Sequence, residues 1–98
     1  MVLSDRPIAN PVVVLREEAD DWAVLFNPDT AEAVGLNPVG VCVWKHLDGK
    51  RSVDDIVSEV RARFSDVPDA ALEELEEFVQ GLVDRGFVGF EVAEGAQP

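Results

Sequence analysis

The sequence predicts an α+β protein of winged helix-turn-helix-like architecture, in which an N-terminal three-stranded antiparallel sheet packs on a three-helix bundle. Two observations lead to this fold class. Short β-branched and aromatic runs between turn-forming residues occupy the first third of the chain, as in consecutive antiparallel strands. Apolar residues at helical spacing fill most of the rest. A chain of 98 residues has room for one modest core, so we expect a single domain.

The first predicted elements are an arm and a hairpin. Residues 1–11 hold two prolines and several turn formers, so we expect an extended N-terminal arm before a domain that covers residues 12–90. Val12 to Leu15 is a β-branched run, and Trp22 to Phe26 is a second apolar run beyond a charged turn. The two runs predict a β-hairpin.

The third predicted strand is short and unusual. The Asn-Pro-Asp-Thr segment at 27–30 is a strong turn signal, because proline presets one dihedral angle and the Asn and Asp side chains can bond nearby backbone. The residues from Glu32 to Leu36 follow either as a strand or as a bend before the first helix. If they form a strand, small Ala33 and Gly35 leave one face almost without bulk, which permits another backbone to approach.

Capping residues predict where the first two helices begin. Asn37 is a good N-cap, and Pro38 fits the first helical position because no donor is lost there. Asp48-Gly49 is expected to end this helix. Ser52 then caps a second helix from about Val53 to Phe64, across a turn of roughly four residues.

The C-terminal part predicts a third helix from about Pro68 to Arg85, ended by Gly86. Its sequence from Asp66 to Asp84 holds seven acids and no base, which predicts a strongly negative outer face. Phe87 to Val92 follows as a short strand or an apolar flap, and residues 91–98 are expected to form a flexible tail.

Composition restricts the partners and the compartment. Twenty acids and eight bases give a formal charge of −12, which repels phosphate backbones and disfavours nucleic-acid binding. No segment has the roughly 20 apolar residues that cross a bilayer, and the N-terminus does not resemble a signal peptide. We therefore expect a cytoplasmic protein with neither membrane nor nucleic acid as a partner.

The sequence offers no catalytic constellation. It has one His, one Cys, no Tyr and no glycine-rich phosphate loop, so we expect neither an enzyme nor a cofactor or metal site. Cys42 falls on the apolar face of the first helix, where cysteine most often acts as a small hydrophobe. His46 is expected to be a surface or capping residue.

Two other functions stay open. A winged helix-turn-helix outline suggests a DNA-binding regulator, although the second helix mixes Arg61 and Arg63 with acids and offers no basic stripe. A structural domain that pairs with itself through a strand edge is the other alternative, so the chain is expected to be a monomer or a weak homodimer.

Two segments resemble a known family. The pattern LN-P-x-G-x-x-V-W-x-x-L-D-G-x-R-S-V-x-x-I-V from Leu36 to Val57 and the pattern F-V-x-x-L-V-x-R-G-F-V from Phe78 to Val88 are similar to the PqqD family. The resemblance covers about Val12 to Val88, and within the family the chain looks especially like the PqqD-related proteins of SynChlorMet cassettes. The turn FNPDT departs from the tyrosine-proline-glutamate-glycine type of turn typical of pyrroloquinoline quinone proteins, so we expect another pathway's peptide.

The resemblance implies a RiPP recognition element. Such a chaperone holds the leader segment of a ribosomally made precursor peptide and delivers it to a modifying enzyme, often a radical S-adenosylmethionine enzyme. In this family the leader adds as a strand beside the third strand and against the third helix. The strand positions implied here are Glu32, Ala33, Val34, Gly35 and Leu36.

The third helix is expected to supply the pockets of such a groove, because bonding along a strand edge is almost independent of sequence. The candidate apolar residues are Leu72, Leu75, Val79 and Val83, and the candidate polar contacts at the lip are Glu76 and Gln80. Ordinary core packing is the alternative for each of the four apolar residues. The acidic helix further suggests that the leader or the enzyme carries positive charge near the groove.

Overall fold

Five strands and three helices make up the computed structural model, which describes residues 5–65, 67 and 69–90. In chain order the elements are β1 (Pro7–Ala9), β2 (Val14–Glu17), a 3-10 turn (Ala19–Asp21), β3 (Ala23–Asn27), β4 (Glu32–Leu36), α1 (Pro38–Lys45), α2 (Val53–Arg63), α3 (Ala71–Asp84) and β5 (Val88–Phe90). An antiparallel sheet in the order β2-β3-β4 packs on the three helices, and β1 pairs with β5 in a second sheet. The predicted α+β class is confirmed.

The three-stranded sheet has an inner and an outer face, because side chains alternate along each strand. Ala23 and Leu25 of β3 and Leu36 of β4 are buried on the inner face against the helices. The register pairs Ala23 with Leu36 and Phe26 with Ala33, so β4 is a full five-residue strand and not a bend. Phe26 lies on the outer face and is exposed.

The N-caps of the first two helices are the residues predicted from the sequence. Asn37 Oδ1 accepts a hydrogen bond from the Gly40 backbone N–H at 2.8 Å, and Pro38 is the first residue of α1. Ser52 Oγ accepts from the Asp55 N–H at 3.1 Å, while the Asp55 carboxylate accepts from the Ser52 N–H at 3.0 Å. This reciprocal capping box sets the start of α2. α3 begins at Ala71, later than predicted.

The connection between α1 and α2 is longer than expected, because the N-terminal segment pairs with it. The Ala9 N–H donates to the Leu47 carbonyl at 2.9 Å, and the Gly49 N–H donates to the Pro7 carbonyl at 3.0 Å. These bonds hold Leu47 outside α1, which ends at Lys45. The segment predicted as an arm therefore carries β1, whereas the predicted tail over 91–98 lies outside the described residues.

Candidate functional site: a strand edge, a helix and an apolar cavity

An open cavity of about 630 Å³ lies where β4 runs into α1, between α2 and the N-terminal half of α3. Its walls are mainly apolar, and among the described residues Glu74 is the charged one that contributes to them. The lining residues are Trp22, Gly35, Leu36, Asn37, Val39, Gly40, Val43, Val57, Val60, Phe64, Ser65, Val67, Ala71, Glu74, Leu75 and Phe78. A mainly apolar cavity of this volume has room for one or more bulky apolar side chains.

The cavity continues an open strand edge. Among the residues that the structure describes, β4 pairs with β3 on one side and with no strand on the other. Alternate residues of an antiparallel edge strand direct their N–H and C=O groups outward, so this edge offers unpaired donors and acceptors.

α3 runs alongside this edge in the opposite direction. At the start of β4, Arg85 Nε, just beyond the last residue of α3, donates to Glu32 Oε2 at 3.0 Å. At the end of β4, Gly35 and Leu36 share the cavity with Ala71 and Leu75. The edge and the helix thus form the two sides of one groove, which the ion pair bridges at one end and the cavity deepens at the other.

The strand residues predicted for the site differ in exposure. Ala33 and Gly35 are exposed, and apart from its two chain neighbours no described residue comes within 4 Å of the place that a Cβ at Gly35 would take. Glu32 and Val34 are half-buried, and Leu36 is 1% exposed and belongs to the core. Small, exposed Ala33 and Gly35 therefore leave space over the outer side of β4 next to its free edge, whereas Leu36 anchors the strand in the core.

The helix residues predicted for the site also divide. Leu75 lines the cavity, whereas Val79 is fully buried in the core. Leu72 and Val83 are half-buried and pack against the core. The two polar residues, Glu76 and Gln80, are half-buried, and Gln80 Nε2 donates to Asp84 Oδ1 at 3.0 Å. Three of the eleven residues predicted for the site line the cavity, namely Gly35, Leu36 and Leu75.

Several cavity residues were not predicted. The cavity lining also includes Val39 at the start of α1, Phe64 just beyond the end of α2, and Phe78 of α3. Sequence periodicity assigns Val39 and Phe64 to core faces and gives no sign that they surround an opening. The available sequence signal was the run from Trp22 to Phe26, which is apolar on both of its faces, so one face had to be left without a core to cover it.

The potentially reactive side chains form a packed polar cluster between α1 and α2. His46 caps α1, and its Nδ1 lies 2.7 Å from the Cys42 carbonyl oxygen while its Nε2 lies 3.6 Å from Glu59 Oε2. Burial raises the pKa of the Cys42 thiol, and this outweighs the lowering effect of Arg63. The thiol is therefore protonated and unreactive at neutral pH.

Within the described part of the chain, no group of three or more His, Cys, Asp or Glu side chains could hold a metal ion. Across the same ranges no helix has the length and apolar character that a bilayer crossing requires.

The surface that a DNA-binding protein of this outline would use is not basic. Asp54 and Asp55 lie in the first turn of α2, and Arg61 and Arg63 lie in its last turn. Arg63 Nε is 3.6 Å from Glu59 Oε2, so part of this positive charge is neutralised within the helix. The mixed charge of α2 does not favour a phosphate backbone.

Comparison with known proteins bears on the fold and the family of the chain. The solved structure described as "TbiB1 in Complex with the TbiA(beta) Leader Peptide" matches with a TM-score of 0.71 at 23% sequence identity, and the match covers 88% of this chain and 99% of that chain. This likeness shows a shared fold. No curated protein matches the chain. The sequence signature described as "Coenzyme PQQ synthesis protein D (PqqD)" matches residues 23–88, which contain β3, β4, all three helices and the first residue of β5. Because this match spans most of the chain, the protein belongs to the PqqD family.

Proposed function

We propose that this protein binds the leader segment of a ribosomally synthesised precursor peptide by strand addition to β4 and presents it to a modifying enzyme. The observation that carries the proposal is the open β4 edge, which faces α3 and ends in an apolar cavity. Membership of the PqqD family and the fold shared with TbiB1, which was solved with a leader peptide, support it.

The two parts of the groove supply different components of binding. Backbone hydrogen bonds along the β4 edge contribute roughly 0.5 to 1.5 kcal/mol each and hardly depend on sequence. Selectivity must therefore come from side-chain pockets. The cavity beside Leu75 and Phe78 favours a bulky apolar leader residue, and the half-buried Glu76 and Gln80 are the proposed polar contacts along α3.

The protein itself performs no chemistry in this proposal. It acts in the cytoplasm as a chaperone, and the modifying enzyme is a radical S-adenosylmethionine enzyme. The acidic outer face of α3 favours a leader or an enzyme surface with positive charge nearby. Whether the chain is related to SynChlorMet cassettes in particular stays a prediction.

Titration of the isotope-labelled protein with the leader of the precursor peptide encoded beside it tests the proposal. We expect amide resonances of Glu32–Leu36 and of α3 to shift, and those of β1 and β5 to stay in place. A leader of scrambled sequence is the control, because it keeps the composition and loses the pairing of side chains with pockets. Unchanged resonances in β4 and α3 at a saturating leader concentration would refute the proposal.

A further inference from the structure

The outer face of the three-stranded sheet is an apolar surface opposite the helices. The register places Val14, Phe26 and Ala33 side by side across β2, β3 and β4, with Arg16, Val24 and Gly35 in the next row. Val14 is 56% exposed and Phe26 is 43% exposed. Large apolar side chains in adjacent rows of an exposed sheet face are typical of a surface that another molecule covers.

This outer face is continuous with the peptide groove. Trp22 immediately precedes β3 and is 52% exposed. It stands four positions before Phe26, so the alternation of side chains along a strand assigns both residues to the same face. Trp22 and Gly35 also line the cavity. A molecule that covers the outer face would therefore touch the mouth of the groove and would meet a peptide held there.

The ends of this face carry negative charge. The exposed acids Glu18, Asp20 and Asp21 lie at the end near Trp22, and exposed Asp29 lies in the β3–β4 turn at the other end. Arg16, the basic residue within the rows, forms an ion pair with Glu18 at 2.9 Å. An apolar centre between acidic ends is complementary to a partner with an apolar centre and a basic rim.

We infer that the outer face of the β2-β3-β4 sheet is the docking surface for the modifying enzyme, and that the enzyme's contact surface is apolar with a basic rim. This inference rests on the proposed function. A second copy of the chain is the less suitable occupant, because each copy carries a formal charge of −12 and stacking would bring like acidic ends together.

The test uses the modifying enzyme encoded beside this chain and two matched variants. Phe26→Thr removes the central aromatic ring of the outer face while keeping a residue that favours strands. Phe90→Thr makes the same change in β5 of the other sheet, where the ring is also partly exposed. We expect Phe26→Thr to weaken binding to the immobilised enzyme about tenfold, and Phe90→Thr to leave it unchanged.

A charge variant provides a second measurement. Asp20 and Asp21 have backbone φ angles of 60° and 65°, a left-handed conformation that asparagine also tolerates. The double variant Asp20→Asn, Asp21→Asn therefore removes two charges without straining the turn. We expect it to slow association with the enzyme severalfold at low salt and to have little effect at high salt.

Leader binding, measured separately by fluorescence anisotropy, distinguishes the two proposals. If the wild-type chain fails to bind the leader, the proposed function is wrong. If all variants bind the leader normally and Phe26→Thr also binds the enzyme like wild type, the docking surface is wrong. A wild-type dimer in sedimentation that Phe26→Thr converts to a monomer would assign the face to a second copy instead.

Discussion

Asp48 organises the turn between α1 and α2 through one side chain. Its Oδ1 accepts the backbone N–H groups of Lys50 at 2.8 Å and Arg51 at 3.1 Å, and its Oδ2 pairs with the Arg51 guanidinium. The hydrogen bond from Lys50, followed by the contributions of Arg51, lowers the pKa of the Asp48 carboxyl. The turn therefore depends on the ionised form.

This lowered pKa makes stability depend on pH. Because the carboxyl titrates at a lower pH in the folded chain than in the unfolded chain, its stabilising effect is present above the unfolded pKa and is lost as pH falls through the folded pKa. Asp48→Asn keeps an acceptor oxygen but no charge. We expect it to lower the free energy of unfolding at neutral pH by about 1 kcal/mol or less, and to flatten the loss of stability below about pH 4.

Urea unfolding followed through tryptophan fluorescence at a series of pH values measures this effect. Asp29→Asn, in the exposed β3–β4 turn, removes one carboxyl elsewhere and is the charge control. An Asp48→Asn protein whose stability falls on acidification as steeply as that of the wild type would contradict the prediction.

At the residue scale, the sequence predicts the role of a side chain well when its hydrogen-bonding partner lies within a few residues along the chain. The Asn37 and Ser52 caps bond backbone groups three residues away, so the sequence contains both partners within one turn. His46 was expected at the surface or at a cap. It caps α1, but its side chain is only 11% exposed, and its Nε2 lies 3.6 Å from Glu59 Oε2 of α2. That partner depends on how two helices pack.

At the scale of elements, β1 shows why some strands escape sequence analysis. It has three residues, begins with proline, and pairs with β5, about eighty positions later in the chain. No local propensity points to such a pairing. β4 could be predicted because a turn precedes it and a helix cap follows it in the sequence. Its predicted bounds from Glu32 to Leu36 match the structure.

Substitutions at two glycines, Gly35 in β4 and Gly89 in β5, distinguish an effect on stability from an effect on leader binding. Gly35 and Gly89 both have open space where a Cβ would lie, one in β4 and the other in β5. Glycine weakens a strand, so we expect Gly35→Val and Gly89→Val each to raise the free energy of unfolding by about 0.5 to 1 kcal/mol. Only Gly35→Val adds bulk at the mouth of the groove, and we expect it to weaken leader binding about tenfold.

Calorimetry with the leader, together with thermal unfolding, measures both quantities on each variant. Because Gly89→Val makes the same chemical change in the other sheet, it reports any general effect of the substitution. Equal leader affinity in the Gly35→Val variant and the wild type would place the peptide away from this part of β4.

At the scale of the whole molecule, the strand and the helix of the groove could be predicted, but the cavity could not. The edge and the amphipathic face of α3 are properties of single elements. The cavity exists because β4, α1, α2 and α3 converge and leave Val39, Phe64 and Phe78 around an opening. Residues of that kind have the same periodicity as core residues, so only their arrangement in space distinguishes them.

The charge of the whole molecule leads to a prediction about how the leader arrives. With a formal charge of −12 and exposed Glu73, Glu74 and Glu77 on α3, the groove should attract a leader that carries basic residues. We expect association to slow as salt rises. The triple variant Glu73→Gln, Glu74→Gln, Glu77→Gln should associate roughly three to ten times more slowly at low salt and approach the wild-type rate near 0.5 M salt.

Stopped-flow measurement of leader association tests this, with Glu17→Gln, Glu18→Gln, Asp29→Asn as the control. This second triple variant removes the same number of charges from exposed positions outside α3. If the local field of α3 guides the leader, the α3 variant will be slower than the control, because the control keeps all of the acidic residues of α3. Equal slowing would mean that only net charge matters. An association rate that does not change with salt would show that the leader reaches the groove without electrostatic attraction, so that selection depends on the cavity alone.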